Sequence, residues 1–324
     1  MPRPTFKLMV ASALLGAASA ALAQSPLHVF ACEPEWAALV KALAPQAQVF
    51  SATHARQDPH HIEARPALIA ALRRAQLAVC TGASLEAGWL PMLQQRAGNA
   101  AVRDGQPGMF YAANHVTLEG RRERVGWNEG DVHPEGNPHF QLDPARMAQV
   151  AQALAQRLAQ IDPAQASAYQ QQHAQWQAQW QQHMASWRQR AAPLKGQRVV
   201  AQHNSLAYLW QWLGMQQVAD LEPKPGLPPT PAHLQAVLAQ TQAAPPAAVV
   251  HTLYQEPQPA QWLSRQLGPQ RAPVLALPSA PTADGPAATL HGWMHTLIDT
   301  LLAAVPPSSE ATPAAPAKAA SAAP

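Results

Sequence analysis

Histidine offers more chemistry in this chain than any other residue type: there are 14 histidines against 2 cysteines. Three of them stand in loops with distinctive neighbours. His60 lies in Gln57-Asp58-Pro59-His60-His61, with Glu63 and Pro66 just beyond. His139 lies in Gly136-Asn137-Pro138-His139-Phe140-Gln141, ahead of Asp143-Pro144. His203 ends the apolar run Val199-Val200-Ala201-Gln202 and precedes Asn204-Ser205. The prolines around His139 restrict its backbone on both sides, and Pro66 can open a helix at its first turn. Taken singly, each histidine reads as a hydrogen-bonded loop residue. Together, three neutral imidazoles from separate loops are a donor set for a borderline divalent ion, with one oxygen donor completing a tetrahedron. The closely paired ligands of a zinc finger are absent. A secreted zinc hydrolase would use the same three-histidine chemistry, but there is no HExxH and no general base placed by a motif. There is also no GxSxG and no Walker loop.

The elements that must carry these loops alternate. Strands are expected at 27–31, 47–51, 76–80 and near 109–112, and helices at 34–43, 65–73 and 85–96. Such alternation predicts βαβ units and a parallel sheet, with ligands at the C-terminal strand ends. Met147, Val150, Leu154, Leu158 and Ile161 follow helical spacing over 144–161, between Asp143-Pro144 and Asp162-Pro163. A second long helix runs to about Arg190. Its Trp176, Trp180, Met184 and Trp187 form a stripe expected to pack on both halves of the protein. Beyond it, strands are expected at 197–202, 216–219, 247–252 and 273–277, and helices at 205–213, 231–241, 257–267 and 286–304. The fold class is therefore α/β, with two similar halves joined by a long helix. The expected division is an N-terminal lobe over 24–160, a linking helix over 161–192 and a C-terminal lobe over 193–305.

The ends of the chain read differently. Arg3 and Lys7 precede a small apolar run from Leu8 to Leu22, and Ala21-Leu22-Ala23 is a cleavage site, so residues 1–23 read as a secretory signal peptide. That run is too short to span a bilayer. Residues 306–324 are Pro-, Ala- and Ser-rich and read as a disordered tail. Hydrophobic residues make up 48% of the chain, enough for real cores, while charged residues make up only 13%. Loss of Arg3 and Lys7 takes two positive charges from a net of only +3. A dense basic face for nucleic acid is thereby excluded. Cys32 and Cys80 each end an apolar run. If those runs are neighbouring strands, a disulfide forms in an oxidising space; two buried thiols or a metal pair are the other readings. Cys32 lies too far past the cut to be a lipid-attachment residue.

The ordered motifs DPHHIEARP, CTGASLEAGWLPML, GNPHFQLDP, VVAQHNSLAYLWQWLGM and EPKPGLPPTPAHL resemble those of the substrate-binding proteins of zinc and manganese ABC transporters. The resemblance covers residues 27–304. It implies two α/β lobes joined by a rigid helix, a metal ion in the cleft between them, no enzymatic activity and a periplasmic location. It carries the three histidine ligands onto His60, His139 and His203. Histidine at 203, in place of a carboxylate, favours Zn²⁺ over Mn²⁺. The fourth position implied by the resemblance is acidic and late in the second lobe. Asp284 is the expected residue, with Glu256 or a water as alternatives. His133 and Glu135 read as an exposed turn or an entry ligand, and His61 as a neighbour of the site. Asp58, Glu63 and Asp143 are candidates to orient the imidazoles. The implied partner is a membrane permease docking across both lobes of a monomer. A metallochaperone or storage protein would use the same site.

Overall fold

The computed structural model describes residues 25–305 except 125, 127 and 128. The stretches expected to be a signal peptide and a disordered tail lie outside the described residues. The first half builds β1 (His28–Ala31), α1 (Pro34–Leu43), β2 (Gln48–Ser51), α2 (Pro66–Arg74), β3 (Leu77–Cys80), α3 (Leu90–Ala97) and β4 (Met109–Tyr111). Two helices follow, α4 (Pro144–Ile161) and α5 (Ala166–Arg190). The second half builds β5 (Arg198–Ala201), α6 (Ala207–Leu213), β6 (Gln216–Asp220), α7 (Pro231–Gln242), β7 (Ala248–Thr252), α8 (Gln258–Leu267), β8 (Val274–Leu277) and α9 (Leu290–Ala304). Each half is one parallel sheet, ordered β2-β1-β3-β4 and β6-β5-β7-β8. In both orders the chain reverses direction beside the first strand, which opens a crevice at the C-terminal strand ends.

Local chemistry sets the helix starts. Proline occupies the first turn of α1, α2, α4 and α7, where its missing N–H costs nothing. Asp143 Oδ1 caps α4 by accepting from Ala145 N at 2.8 Å. Thr230 Oγ1 does the same for α7 through His233 N.

The starts of α3 and α9 differ from the sequence expectation by several residues. The helix expected from 85 begins at Leu90, because Ala83 and Ser84 turn with φ of 50° and 63°. The buried Glu86 carboxylate holds that turn by accepting from Thr81 N at 2.6 Å and Gly82 N at 3.0 Å. The helix expected from 286 begins at Leu290, after a short turn whose exit is capped by Thr289 Oγ1.

The inner faces of both sheets share one continuous hydrophobic core. Val29, Val79 and Phe110 on one side meet Val199, Val250 and Leu297 on the other through Leu154, Trp180 and Trp187. Helix α5 packs on α4, on α1 and on α9, and α1 also touches α9. The tryptophan stripe thus bridges the halves as expected. Separate cores fill the outer faces, around Leu72 and Trp89 in the first half and Leu263 in the second. Cys32 and Cys80 form a disulfide between the ends of the adjacent β1 and β3, with Cα atoms 4.8 Å apart. Among the described residues no helix is long and apolar enough to cross a membrane.

Candidate metal centre

His60 follows β2, His139 lies between β4 and α4, and His203 follows β5. All three loops leave the C-terminal strand ends, so two sheets deliver their histidines to one place. His203 sits in the left-handed region at φ +66°, which costs a non-glycine residue on the order of 1 kcal/mol. Asp220 Oδ1 holds it there by accepting from His203 N at 3.0 Å.

The ring centres of His60, His139 and His203 form a near-equilateral triangle of 5.4, 5.5 and 5.8 Å. One nitrogen from each lies within 4.8 Å of the others. All three side chains are buried. His60 Nδ1 donates to Asp58 Oδ1 at 2.7 Å, and His203 Nδ1 donates to Glu222 Oε2 at 2.9 Å. Each carboxylate fixes its ring's tautomer and turns Nε2 into the cluster. The Nε2 atoms of His139 and His203 are buried and accept no hydrogen bond. A buried ring nitrogen without a partner is costly unless something else takes it up.

Charge is balanced around these rings. Burial would raise the Asp58 carboxyl pKa, but the hydrogen bonds and charge of His60 outweigh it and lower it. Burial, then the neighbouring histidines, hold His139 well below the usual imidazole range, so it is neutral. Burial would lower His203 as well, but the hydrogen bond and charge of Glu222 raise it. The pocket therefore already favours a positive charge beside Glu222.

A fourth imidazole approaches His60 from the segment between β4 and α4. His133 Nε2 is 3.3 Å from His60 Nε2, and the two ring centres are 5.4 Å apart. Burial, then the charge of His60, push His133 down to about 4. This segment crosses to the other half. Asp131 N donates to Pro225 O at 2.9 Å, and Asn137 Nδ2 donates to Asn204 O at 3.1 Å. Gly130 and Gly226, at φ +80° and +75°, permit the approach, since a Cβ on either would strike Pro225 or Asp131.

Asp284 does not join the cluster. It is exposed in the turn before α9, where its backbone carbonyl accepts from Thr282 Oγ1. That turn is closed by Thr282 N donating to Ala287 O, and it faces solvent. Glu256 is exposed too. Of the candidates to orient the imidazoles, Asp58 does so, Asp143 instead caps α4 and pairs with Arg146, and Glu63 is exposed. Glu135 accepts from Ser84 Oγ, and the largely exposed His61 lies 3.8 Å from Asp131. Sequence reasoning missed Glu222, which stands in the Glu222-Pro223-Lys224-Pro225 motif but 19 residues from its histidine.

The model of the zinc-uptake complex component A family, periplasmic (ZnuA), matches residues 29–304. The chain belongs to that family. The fold agrees. A crystal structure of ZnuA superposes with a TM-score of 0.71 at 19% identity, covering 87% of this chain and 100% of that one. A Mn-bound periplasmic metal-binding protein from Candidatus Liberibacter asiaticus, an S38A mutant, gives 0.67 at 17% identity over 87% and 100%. The substrate-binding protein FpvC of Pseudomonas aeruginosa, in complex with Mn²⁺, gives 0.67 at 19% identity over 87% and 98%. No curated protein matches the chain by sequence. At these identities the structures of ZnuA and its relatives speak for the fold, and the donor atoms must speak for the site.

Proposed function

We propose that this chain captures a divalent metal ion, Zn²⁺ by preference, in the periplasm and delivers it to an ABC permease. His60, His139 and His203 hold the ion, and His133 supplies the fourth donor in place of Asp284. The observation that carries this is the pair of buried, unpartnered Nε2 atoms on His139 and His203, facing the Nε2 of His60. An all-imidazole set favours Zn²⁺ over Mn²⁺, which prefers carboxylate and water oxygens. Relatives with solved structures carry Zn, Mn, Cd or Ni, so the choice rests on this chain's own donors. Membership of an uptake-complex family supports delivery to a permease over storage or catalysis.

The test is calorimetry on chelator-stripped protein with Zn²⁺ and Mn²⁺. The expected result is one tight Zn²⁺ site and much weaker Mn²⁺ binding. His60→Ala, His139→Ala and His203→Ala should each cost about a hundredfold or more, and His133→Ala about tenfold. Asp284→Asn should change nothing. A tight site indifferent to the three main variants would overturn the assignment.

A further inference from the structure

A second group of histidines lies away from the cleft. His183 is on α5, and His291 and His295 stand one turn apart on α9. The ring centres of His183 and His291 are 3.9 Å apart, and those of His291 and His295 are 5.6 Å apart. Trp187 lies 5.6 Å from both His183 and His291, its plane inclined 25° to each ring. Beside them runs a groove of about 340 Å³ lined by Lys41, Trp176 and Trp180 as well as His183 and His291. The groove joins α1 of the first half, the linking helix and the last helix.

We propose that His183, His291 and His295 form a second, weaker site for a borderline divalent ion such as Zn²⁺ or Ni²⁺. Histidines at i and i+4 share a helix face and chelate one ion, and the neighbouring helix supplies the third ring. Imidazoles bound at ~2.0 Å to a common ion place their ring centres about 5 Å apart. His291 and His295 are already close to that spacing. His183 and His291 need to part by about 1 Å, and His183 and His295, which flank His291, need to turn towards each other, since the three do not yet bring their nitrogens within 4.8 Å of one another. No hydrogen bond to a described residue holds the ring of His183 or His291, and His291 is exposed, so both rings are free to turn.

His295 is the costlier ligand. Arg190 Nη1 lies 3.0 Å from its Nδ1 and 3.3 Å from its Nε2, and Nε2 is also 3.4 Å from Asp299 Oδ2. Arg190 also pairs with Asp299, so its cation is already matched. Ligation through Nδ1 requires Arg190 to move off the ring and leaves Nε2 beside the Asp299 carboxylate, the kind of group that supports a metal-bound imidazole. Occupancy fastens α9 to the linking helix.

Tag-free protein carrying His60→Ala, His139→Ala and His203→Ala would be titrated with Ni²⁺ alone, following calorimetry and tryptophan fluorescence. The expected result is one equivalent bound, with quenching through the adjacent Trp187. His291→Ala or His295→Ala should weaken it at least about tenfold, and His183→Ala measurably. If the cleft variant does not fold, wild-type protein preloaded with one equivalent of Zn²⁺ serves instead. It should take a second equivalent of Ni²⁺ that His291→Ala removes while the first ion stays bound. Absence of that equivalent, or binding untouched by all three variants, would overturn the proposal. Either failure leaves the cleft site standing, because the two sets of variants share no residue.

Discussion

At the scale of single residues, the proposed site depends on carboxylates that stand outside the histidine cluster. Asp58 and Glu222 each accept a hydrogen bond from a histidine Nδ1 and so decide which nitrogen faces the cluster. Asp58→Asn and Glu222→Gln should therefore weaken Zn²⁺ by about 10- to 100-fold each while leaving the thermal midpoint of the apo protein within a few degrees. Competition against a chelating dye measures the first quantity and calorimetric melting the second. A loss of affinity matched by a loss of fold would show a structural role instead. The two carboxylates also mark the limit of what could be read before the structure. Asp58 is two residues from its histidine and was legible from proximity. Glu222 lies on a different loop, and only the parallel pairing of β5 with β6 brings it beside His203. Asp284 shows the opposite case, an acidic residue in a suggestive stretch that backbone hydrogen bonds hold at the surface.

At the scale of elements, what is local was legible and what is tertiary was not. The helix over 144–161 was readable to the residue because Asp143-Pro144 starts it and Asp162-Pro163 stops it. The start of α3 was misplaced because a buried carboxylate stabilises the turn over 82–89, and nothing within that stretch announces burial. The disulfide needed β1 and β3 to be neighbours, which alternation suggests but does not require. Removing it by Cys80→Ser should cost about 2–5 kcal/mol, since it closes a loop over a separation of 48 residues. Urea denaturation would show this as a lower midpoint. Trp187→Ala should cost about 3–5 kcal/mol by the same measurement, because the ring is buried in the core that both halves share. An unchanged midpoint in the tryptophan variant would mean that α5 is not the bridge between the halves.

At the scale of the whole molecule, stability has a pH dependence and motion has a limit. Burial drives Glu35 up to about 8 and Glu86 up to about 7, and it raises Glu33 as well. The folded protein therefore holds protons that the unfolded chain releases near pH 4.5. The stability they contribute is full below that value and is lost as pH rises through 7 to 8. The urea midpoint should fall between pH 5 and 8, and Glu35→Gln should flatten that slope. Motion is limited by the core that runs unbroken through Leu154, Trp180, Trp187 and Leu297, with α1 in direct contact with α9. Swinging the halves apart would open that core, so metal binding cannot rely on a wide hinge. Rearrangement on binding is expected instead over residues 129–138, which carry His133 and rest on the second half through hydrogen bonds such as Asp131 N to Pro225 O. Zn²⁺ should slow amide exchange over 129–138 and leave α5 unaffected, while the radius of gyration in solution changes by less than about 1 Å. Scattering that shows a contraction of several ångströms, or exchange protection spread along α5, would mean that the lobes themselves close. In that case the continuous core would have to be the closed state, and the linking helix would be the hinge rather than the strut.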